Sequence, residues 1–442
     1  MNTNFTREFY LRIMRIYDLK KKSDLQVAAS FARLSDTAIA TYDFLWGIVP
    51  GVAIPDEMIP DNFHIYIYDY PPELAEVLLE APVGCSLGQW GTEVLFHRWL
   101  QSSSFVTTDP DKADLFYVPI YATCNIVRKN LNYTETGKVL YDPLFEYLRR
   151  QKYWKQYGGI DHVFLFADGQ GFNQWPWFEA VQQSILLMVE TSCPTWGTPL
   201  ERKLDIKSCF SVWKDIILPG HTDFSRVKKL KNLRKPLGER KLLFSWRGRS
   251  SFIHEAYKKS VTRTEIVETF IDLPGTDVGG FSKTFFQSKT DSQFCLVPSG
   301  TSPWSNHLYE SIIAGCIPVI LSDEYQLPFW HRLDWTTFSL KIPEGKIDAE
   351  LFDYLASIPH QLIVPMYLKV LENSCWFDWW STDTLCNPYL GIVEQLADRA
   401  QKLRSQLKHD KFWHALGKDP YNIKRKSRFH AERETYDWLD LD

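Results

Sequence analysis

The sequence predicts an α/β protein of two Rossmann-like domains facing a central cleft, and three observations carry that expectation. Its 442 residues exceed what one hydrophobic core usually supports, so two domains are the natural division. Short apolar runs alternate with helical stretches in the order strand, helix, strand, helix, strand. The same pattern then recurs beyond a charged segment, Lys228 to Arg240, which is the expected linker.

Residues 1–60 show helical periodicity, with Phe9, Ile13, Ile16 and Leu19 at three- and four-residue steps, and read as an accessory segment. Residues 61–230 form the expected first Rossmann-like domain. Its first strand is His64 to Tyr68, stopped by Asp69-Tyr70-Pro71-Pro72. A helix follows over Thr92 to Leu100, with apolar residues at 95, 96 and 99. Leu115 to Ile120 is nearly all apolar, as a buried parallel strand is. A helix near Leu140 to Tyr153 leads to a third strand, His162 to Phe166. In the second domain, 231–388, the strands are Lys241 to Ser245, Phe294 to Val297 and Ile317 to Leu321. Residues 389–442 read as a helical closing segment.

Composition narrows the function classes. The hydrophobic share, 45%, is ordinary for a soluble globular protein. The 17 Trp, 21 Tyr and 28 Phe suit sugar rings, but most must simply be core. The net charge of -4, from 50 basic and 54 acidic residues, argues against a nucleic-acid partner. The basic runs at Lys228 to Arg249 and Lys424 to Arg428 read as solvated faces. No stretch reaches the roughly 18–20 apolar residues of a membrane span. Ala38 to Pro55 is interrupted by Asp43, Pro50 and Pro55, and no secretory signal precedes it, so the chain reads as soluble or as lacking an upstream anchor.

The eight cysteines show neither CxxC spacing nor a Cys/His zinc pattern. Cys295 and Cys316 lie in apolar runs and read as buried thiols or a buried pair. Cys193 with Cys209, and Cys375 with Cys386, could close loops in an oxidising compartment. Asn4-Phe5-Thr6 and Asn132-Tyr133-Thr134 fit the N-glycosylation pattern, which leans toward the secretory pathway.

The most informative stretch is Phe294 to Pro328, FCLVPSGTSPWSNHLYESIIAGCIPVILSDEYQLP. It reads as a βαβ unit. The strand ends at Pro298, and Ser299-Gly300-Thr301 makes a small turn. Ser302 is the expected N-cap and Pro303 the first helical residue. Trp304, Leu308 and Ile312 form the buried stripe, and Gly315 ends the helix. Backbone N–H groups at such a turn suit a phosphate. Glu310, expected on the polar face, could accept both hydroxyls of a ribose.

This block resembles the signature of exostosin-type glycosyltransferases. The matching elements are Phe294-Cys295-Leu296-Val297-Pro298, Leu308-Tyr309-Glu310, Gly315-Cys316-Ile317-Pro318-Val319 and Leu327-Pro328-Phe329. Further similar blocks are Trp90 to Glu93, Thr108 to Pro119, Gly159 to Phe164, Lys214 to His221 and Phe244 to Gly248, so the resemblance covers about residues 62–345. It implies a GT-B fold whose C-terminal half holds a nucleotide-sugar, in all expectation UDP-linked, as co-substrate without any cofactor. It also implies a glycan or glycoprotein acceptor, inversion at the anomeric carbon, an oligomer with itself or a homologue as an option, and residence in the Golgi or secretory-pathway lumen. Two departures stand out. Ser299 replaces the family's usual Arg before Gly300, and His307 replaces an Arg that often precedes Leu308. Their loss points to a different donor, or to the alternative of a catalytically weak homologue acting as a glycan-binding or partner-stabilising subunit.

Roles follow from these expectations. The nucleotide-sugar site comprises Ser299, Gly300, Thr301, Ser302, Ser305, Asn306 and Glu310, with Arg247 and Arg249 on the diphosphate. Arg247 should project from the end of strand 241–245 into the cleft and stabilise charge on the leaving group. For the base that deprotonates the acceptor hydroxyl, Asp168 at the end of strand 162–166 comes first, then Glu93 and His221. No metal is expected. Asp109-Pro110-Asp111 has the D-x-D form that holds Mn²⁺ in GT-A transferases but reads as a turn, and Asp440 and Asp442 lie at a fraying end.

Overall fold

The computed structural model describes residues 59–415, apart from breaks at 81–82, 130, 169–180, 182, 191–209, 212–213, 251–260, 301–302, 382 and 384. The expected accessory helix with Phe9 to Leu19, the pair Cys193–Cys209, and the chain beyond residue 415 lie outside the described residues.

Two five-stranded sheets carry the fold, and every pairing in them is parallel. The first contains β1 (Ile65–Ile67), β2 (Leu115–Tyr117), β3 (His162–Phe166), β4 (Ile185–Met188) and β5 (Ile216–Ile217), side by side in chain order. Its strands are apolar at successive positions because both faces are covered. Leu115, Tyr117, Val163, Leu165, Ile185 and Leu187 enter one core cluster. Phe116, Val118, Phe164, Phe166, Leu186 and Met188 enter the other. Of the principal helices here, α1 (Pro72–Leu79), α2 (Thr92–Gln101), α3 (Ala122–Lys129) and α4 (Asp142–Arg150), α2 adds Phe96 and Leu100 to the first cluster and α4 adds Leu144, Phe145 and Leu148 to the second. Each such side chain contributes about 1.5–3 kcal/mol of burial.

The single helix expected over 140–153 is broken. A π turn covers Gly137–Tyr141, α4 begins at Asp142, and Gln151 is extended before a short helix from Lys152. Pro143, which lacks the N–H that a regular ladder needs, follows the π turn without interrupting the helical backbone, and the break itself falls at the extended Gln151.

In the second half, α5 (Phe224–Leu233) precedes β6 (Leu242–Arg247), α6 (Val261–Phe270), β7 (Thr276–Gly279), α7 (Phe285–Asp291), β8 (Ser292–Pro298), α8 (Asn306–Ile313), β9 (Ile317–Leu321) and β10 (Leu340–Lys341). The sheet order is β10-β9-β8-β6-β7. The chain therefore adds β7 on one side of β6 and then reverses to add β8 on the other. The first sheet has no such reversal among its described strands. Strand β6 extends two residues past the expected end, held by the pairing of Trp246 with Val278 and Arg247 with Gly279.

The charged segment 228–240 is no open linker: Lys228, Lys229 and Lys231 are exposed on α5, as a solvated face is, but the rest of its basic side chains turn inward. Lys228 to Leu233 lie in α5, the segment's arginines reach helix-end carbonyls, and two of its lysines reach carboxylates. Lys231 bonds Asp378 at 2.5 Å, Lys235 pairs with Asp291, and the Arg234 Nε donates to the Ile313 carbonyl at 3.0 Å. Buried Arg240 donates to the carbonyls of Lys289, Ser292 and Ala314. Cations at helix C-termini are favoured by the exposed carbonyl dipoles there.

Three disulfides are present among the described residues: Cys85–Cys124, Cys295–Cys316 and Cys375–Cys386. The first was not expected from the spacing. By chain entropy, closing its 39-residue separation stabilises the fold by about 3–4 kcal/mol.

Among the described residues, two ties join the halves besides the core cluster that spans both. The segment Leu218–Asp223 crosses from β5 to α5, with Gly220 at the tightest point. A Cβ there would lie 2.6 Å from Trp304 and 2.8 Å from Tyr309, so only glycine fits. After α9 (Ala349–Ser357) and α10 (His360–Asn373), the last described helix, α11 (Pro388–Ala415), returns to the first half. Tyr389 stacks on Trp99 at 5.0 Å, and Arg404 pairs with buried Asp114.

Candidate active site

In parallel α/β sheets a ligand sits at the C-terminal strand ends where the strand order reverses. Here that crevice opens between the ends of β6 and β8. One wall is Trp246-Arg247-Gly248, and the other is Pro298-Ser299-Gly300. The fold thus brings Arg247, Ser299 and Gly300 together, as the sequence suggested.

The helix beyond the turn begins later than expected. Ser305, not Ser302, is its N-cap, with Oγ accepting from the His307 N–H at 3.3 Å, and Asn306 is the first helical residue. Pro303 lies ahead of the helix, and its carbonyl accepts from the Ser322 hydroxyl at 2.8 Å. Ser305 is buried and used as a cap. Thr301 and Ser302 lie outside the described residues. Asn306 turns its Oδ1 toward Gly220, where it is buried with no hydrogen bond among the described residues.

Glu310 departs most from its expected setting. It is not on a solvated face but is 2% exposed. Its Oε1 accepts from Arg226 of α5 at 2.7 Å, and its Oε2 lies 3.6 Å from the Lys289 ammonium of α7. Lys289 in turn reaches the His307 Nδ1 at 3.1 Å. An ammonium has only donors, so Nδ1 accepts and the His307 proton resides on Nε2. That Nε2 sits on the crevice side, 3.3 Å from where a Cβ on Gly248 would stand. Burial first, then the charges of Lys289, Arg263 and Arg226, hold this ring well below its ordinary pKa, so it is neutral.

Arg247 does not project freely into the cleft. It pairs sideways with Asp277 on β7, and its Nη1 approaches the Gly280 carbonyl at 3.4 Å. The sideways course follows from the observed strand: Arg247 is the last residue of β6 and is flanked by β7. Arg249 is exposed with its guanidinium 6.0 Å from the Phe281 ring.

Among the expected bases, Glu93 and His221 are internal. Glu93 is fully buried at the start of α2 and accepts from three backbone N–H groups: Thr123 at 3.0 Å, Ala167 at 3.1 Å and Cys124 at 3.3 Å. It therefore pins the N-terminus of α3 to the end of β3, a positioning role and not that of a base facing an acceptor. Desolvation pushes its carboxyl up to about 7, against the opposing pull of these bonds. The sign follows from proton uptake. The folded state keeps this proton to about pH 7 while the unfolded chain releases it near 4.5, so Glu93 makes stability fall as pH rises across that window. Glu93→Gln should flatten the pH 5–8 dependence of the melting temperature; an unchanged slope would show that Glu93 is ionised throughout.

His221 is buried, and its Nδ1 meets the Gly88 carbonyl at 2.5 Å. Nδ1 is thus the donor, and Nε2 has no hydrogen bond among the described residues. Desolvation lowers its pKa to about 4, too weak a base for efficient proton abstraction near neutrality. Asp168 remains half-buried two residues past β3, directly after the Ala167 N–H that Glu93 holds.

The D-x-D pair is a turn, as its residues suggested. Asp109 caps Pro110–Lys112 and accepts from the Asp111 N–H at 3.1 Å, while Asp111 takes Tyr153 and Lys152. Among the described residues no three His, Cys, Asp or Glu side chains gather as a metal set. No described helix is long and apolar enough to cross a membrane.

Arg226, Lys289 and Arg263 are the site residues that sequence reasoning missed. Their partners lie 84, 21 and 36 positions away, and nothing local marks them.

Two parallel α/β sheets, the second with a crevice at its reversal, are the architecture expected of a GT-B glycosyltransferase. The family profile of the Exostosin GT47 domain matches residues 59–358, more than half of the sequence, and the chain belongs to that family. Among curated relatives, the Probable glucuronosyltransferase GUT1 of Oryza sativa subsp. japonica is 27% identical over 344 residues, covering 74% of this chain and 79% of the relative. The Probable beta-1,4-xylosyltransferase IRX10 of Arabidopsis thaliana is 27% identical over 310 residues, covering 68% and 73%. Among solved structures, Anabaena HepE in complex with UDP and glucose aligns with 78% of this chain and all of its own, at 9% identity and a TM-score of 0.36. At that score the likeness carries no argument.

Proposed function

We propose that this chain transfers a sugar from a UDP-sugar to a glycan acceptor with inversion. The observation that carries the reading is the crevice between β6 and β8, walled by Trp246-Arg247-Gly248 and Pro298-Ser299-Gly300, with the neutral His307 beside Gly248. Family membership supports the reaction class, and the relatives' names, glucuronosyltransferase and xylosyltransferase, support a sugar of the UDP-linked pentose and uronic acid series.

In this reading the donor lies against the second half with its ribose toward Glu310 and its diphosphate at the turn 298–300. The acceptor approaches from the first half, where Asp168 takes the proton of the attacking hydroxyl. Attack from the face opposite the diphosphate inverts the anomeric carbon, and UDP departs. The three described disulfides favour an oxidising compartment, such as the secretory-pathway lumen.

A panel of UDP-sugars with xylan and other glycan acceptors, scored by UDP release, tests the reading. Release with one donor and acceptor pair is the expected result. A folded protein that binds no nucleoside diphosphate in calorimetry would refute it.

A further inference from the structure

We propose that Phe281 is the platform on which the nucleobase of the donor stacks. The proposal deepens the reading of the β6–β8 crevice as the donor seat and rests on it.

The setting of the ring points to it. Phe281 stands two residues past the end of β7 and is 61% exposed. Its backbone is held from the crevice wall. The Gly248 N–H donates to the Gly279 carbonyl at 3.0 Å, and the Arg247 Nη1 reaches the Gly280 carbonyl at 3.4 Å. The Arg249 guanidinium, two residues past the end of β6, lies 6.0 Å from the centre of the ring. Two adjacent strand ends thus bring a planar ring and a planar guanidinium together beside the crevice.

A run of contacts leads from this ring into the seat. Phe281 packs on Phe285 with centroids 5.7 Å apart, and Phe285 lies 6.0 Å from His307. The Lys289 ammonium is 5.3 Å from the Phe285 ring and 3.6 Å from Glu310.

Distance decides which part of the donor meets the ring. Neighbouring strands lie about 4.8 Å apart, so the ends of β8 and β7, with β6 between them, are separated by roughly 10 Å. That span matches the reach of an extended nucleoside diphosphate from its outer phosphate to its base. The first half meets the β8–α8 side, where Gly220 abuts Trp304 and Tyr309. With the acceptor arriving from there, the sugar of the donor must face that side, which leaves the base for β7. Every base has a π face, so the ring supplies affinity without choosing among bases.

Calorimetric titration of UDP, uridine and inorganic pyrophosphate into the wild type, Phe281→Ala, Phe281→Leu and Phe281→Trp tests the assignment. The side chain is largely exposed, so these variants should fold with melting temperatures near that of the wild type. Loss of one stacked base predicts UDP and uridine affinity roughly 5–100-fold weaker in Phe281→Ala, with pyrophosphate affinity unchanged. Phe281→Leu keeps apolar bulk without a π face and should lose nearly as much. Phe281→Trp should bind at least as tightly as the wild type, and its indole emission should respond to uridine beyond the wild-type response. Uridine bound equally by Phe281→Ala and the wild type overturns the proposal, as does full affinity in the leucine variant. If the wild type binds neither UDP nor uridine, the donor-seat reading itself fails, whereas UDP bound alike by every variant sinks the platform alone.

Discussion

Replacing Glu310 with alanine is expected to destabilise the protein by about 3–5 kcal/mol, because it strips the carboxylate from a buried cationic pair. Lys289 is 6% exposed at its side chain and could not recover its hydration, while Arg226 could turn partly to solvent. The melting temperature should fall by roughly 6–15 °C in differential scanning calorimetry. Such a loss would make the simple alanine variant a poor probe of ribose binding. The double variant Glu310→Gln/Lys289→Met separates the two roles. Removing the buried charge along with its partner should restore most of the stability, as replacing whole buried ion pairs often does. Donor affinity should stay reduced if the carboxylate meets the nucleotide. Wild-type affinity in the double variant would confine Glu310 to its structural role, and an unchanged melting temperature in Glu310→Ala would refute the stability argument.

The second large effect concerns the acceptor side. Asp168→Asn should lower kcat by 10²–10⁴-fold, the usual range for removing a general base, while UDP binding stays at the wild-type level. The amide keeps the size of the side chain and cannot take a proton. Of the three candidate bases, Glu93 has its oxygens on backbone N–H groups and His221 is buried with its pKa near 4. Asp168 alone is half-buried at a strand end. A variant that retains a tenth or more of the wild-type kcat would move the base elsewhere.

The strands were legible because burial on both faces writes a continuous apolar run, as in His162 to Phe166 and Ile317 to Leu321. Their spatial order was not, since periodicity identifies a strand but says nothing about its neighbours. The turn at 298–300 stands at the end of β8 beside the sheet's reversal, whereas the helix start was misread. Both Ser302-Pro303 and Ser305 satisfy the capping rule, and the bond between the Ser322 hydroxyl and the Pro303 carbonyl is tertiary information. The site's charges were the hardest part. Sequence reveals that Glu310 is acidic and Lys289 basic, but not that chain folding sets them 3.6 Å apart. For the same reason Arg247 looked like a free phosphate ligand until Asp277 appeared beside it.

The double tie between the halves has a mechanical consequence. One strap runs through Gly220, where there is no room for a methyl group, and the other is α11, stacked through Tyr389 on Trp99 and anchored by Arg404 to Asp114. A body held to another at two separate points cannot slide along it or swing about a single pin. Any parting of the halves would therefore strain both straps together, and a cut at either should ease that constraint.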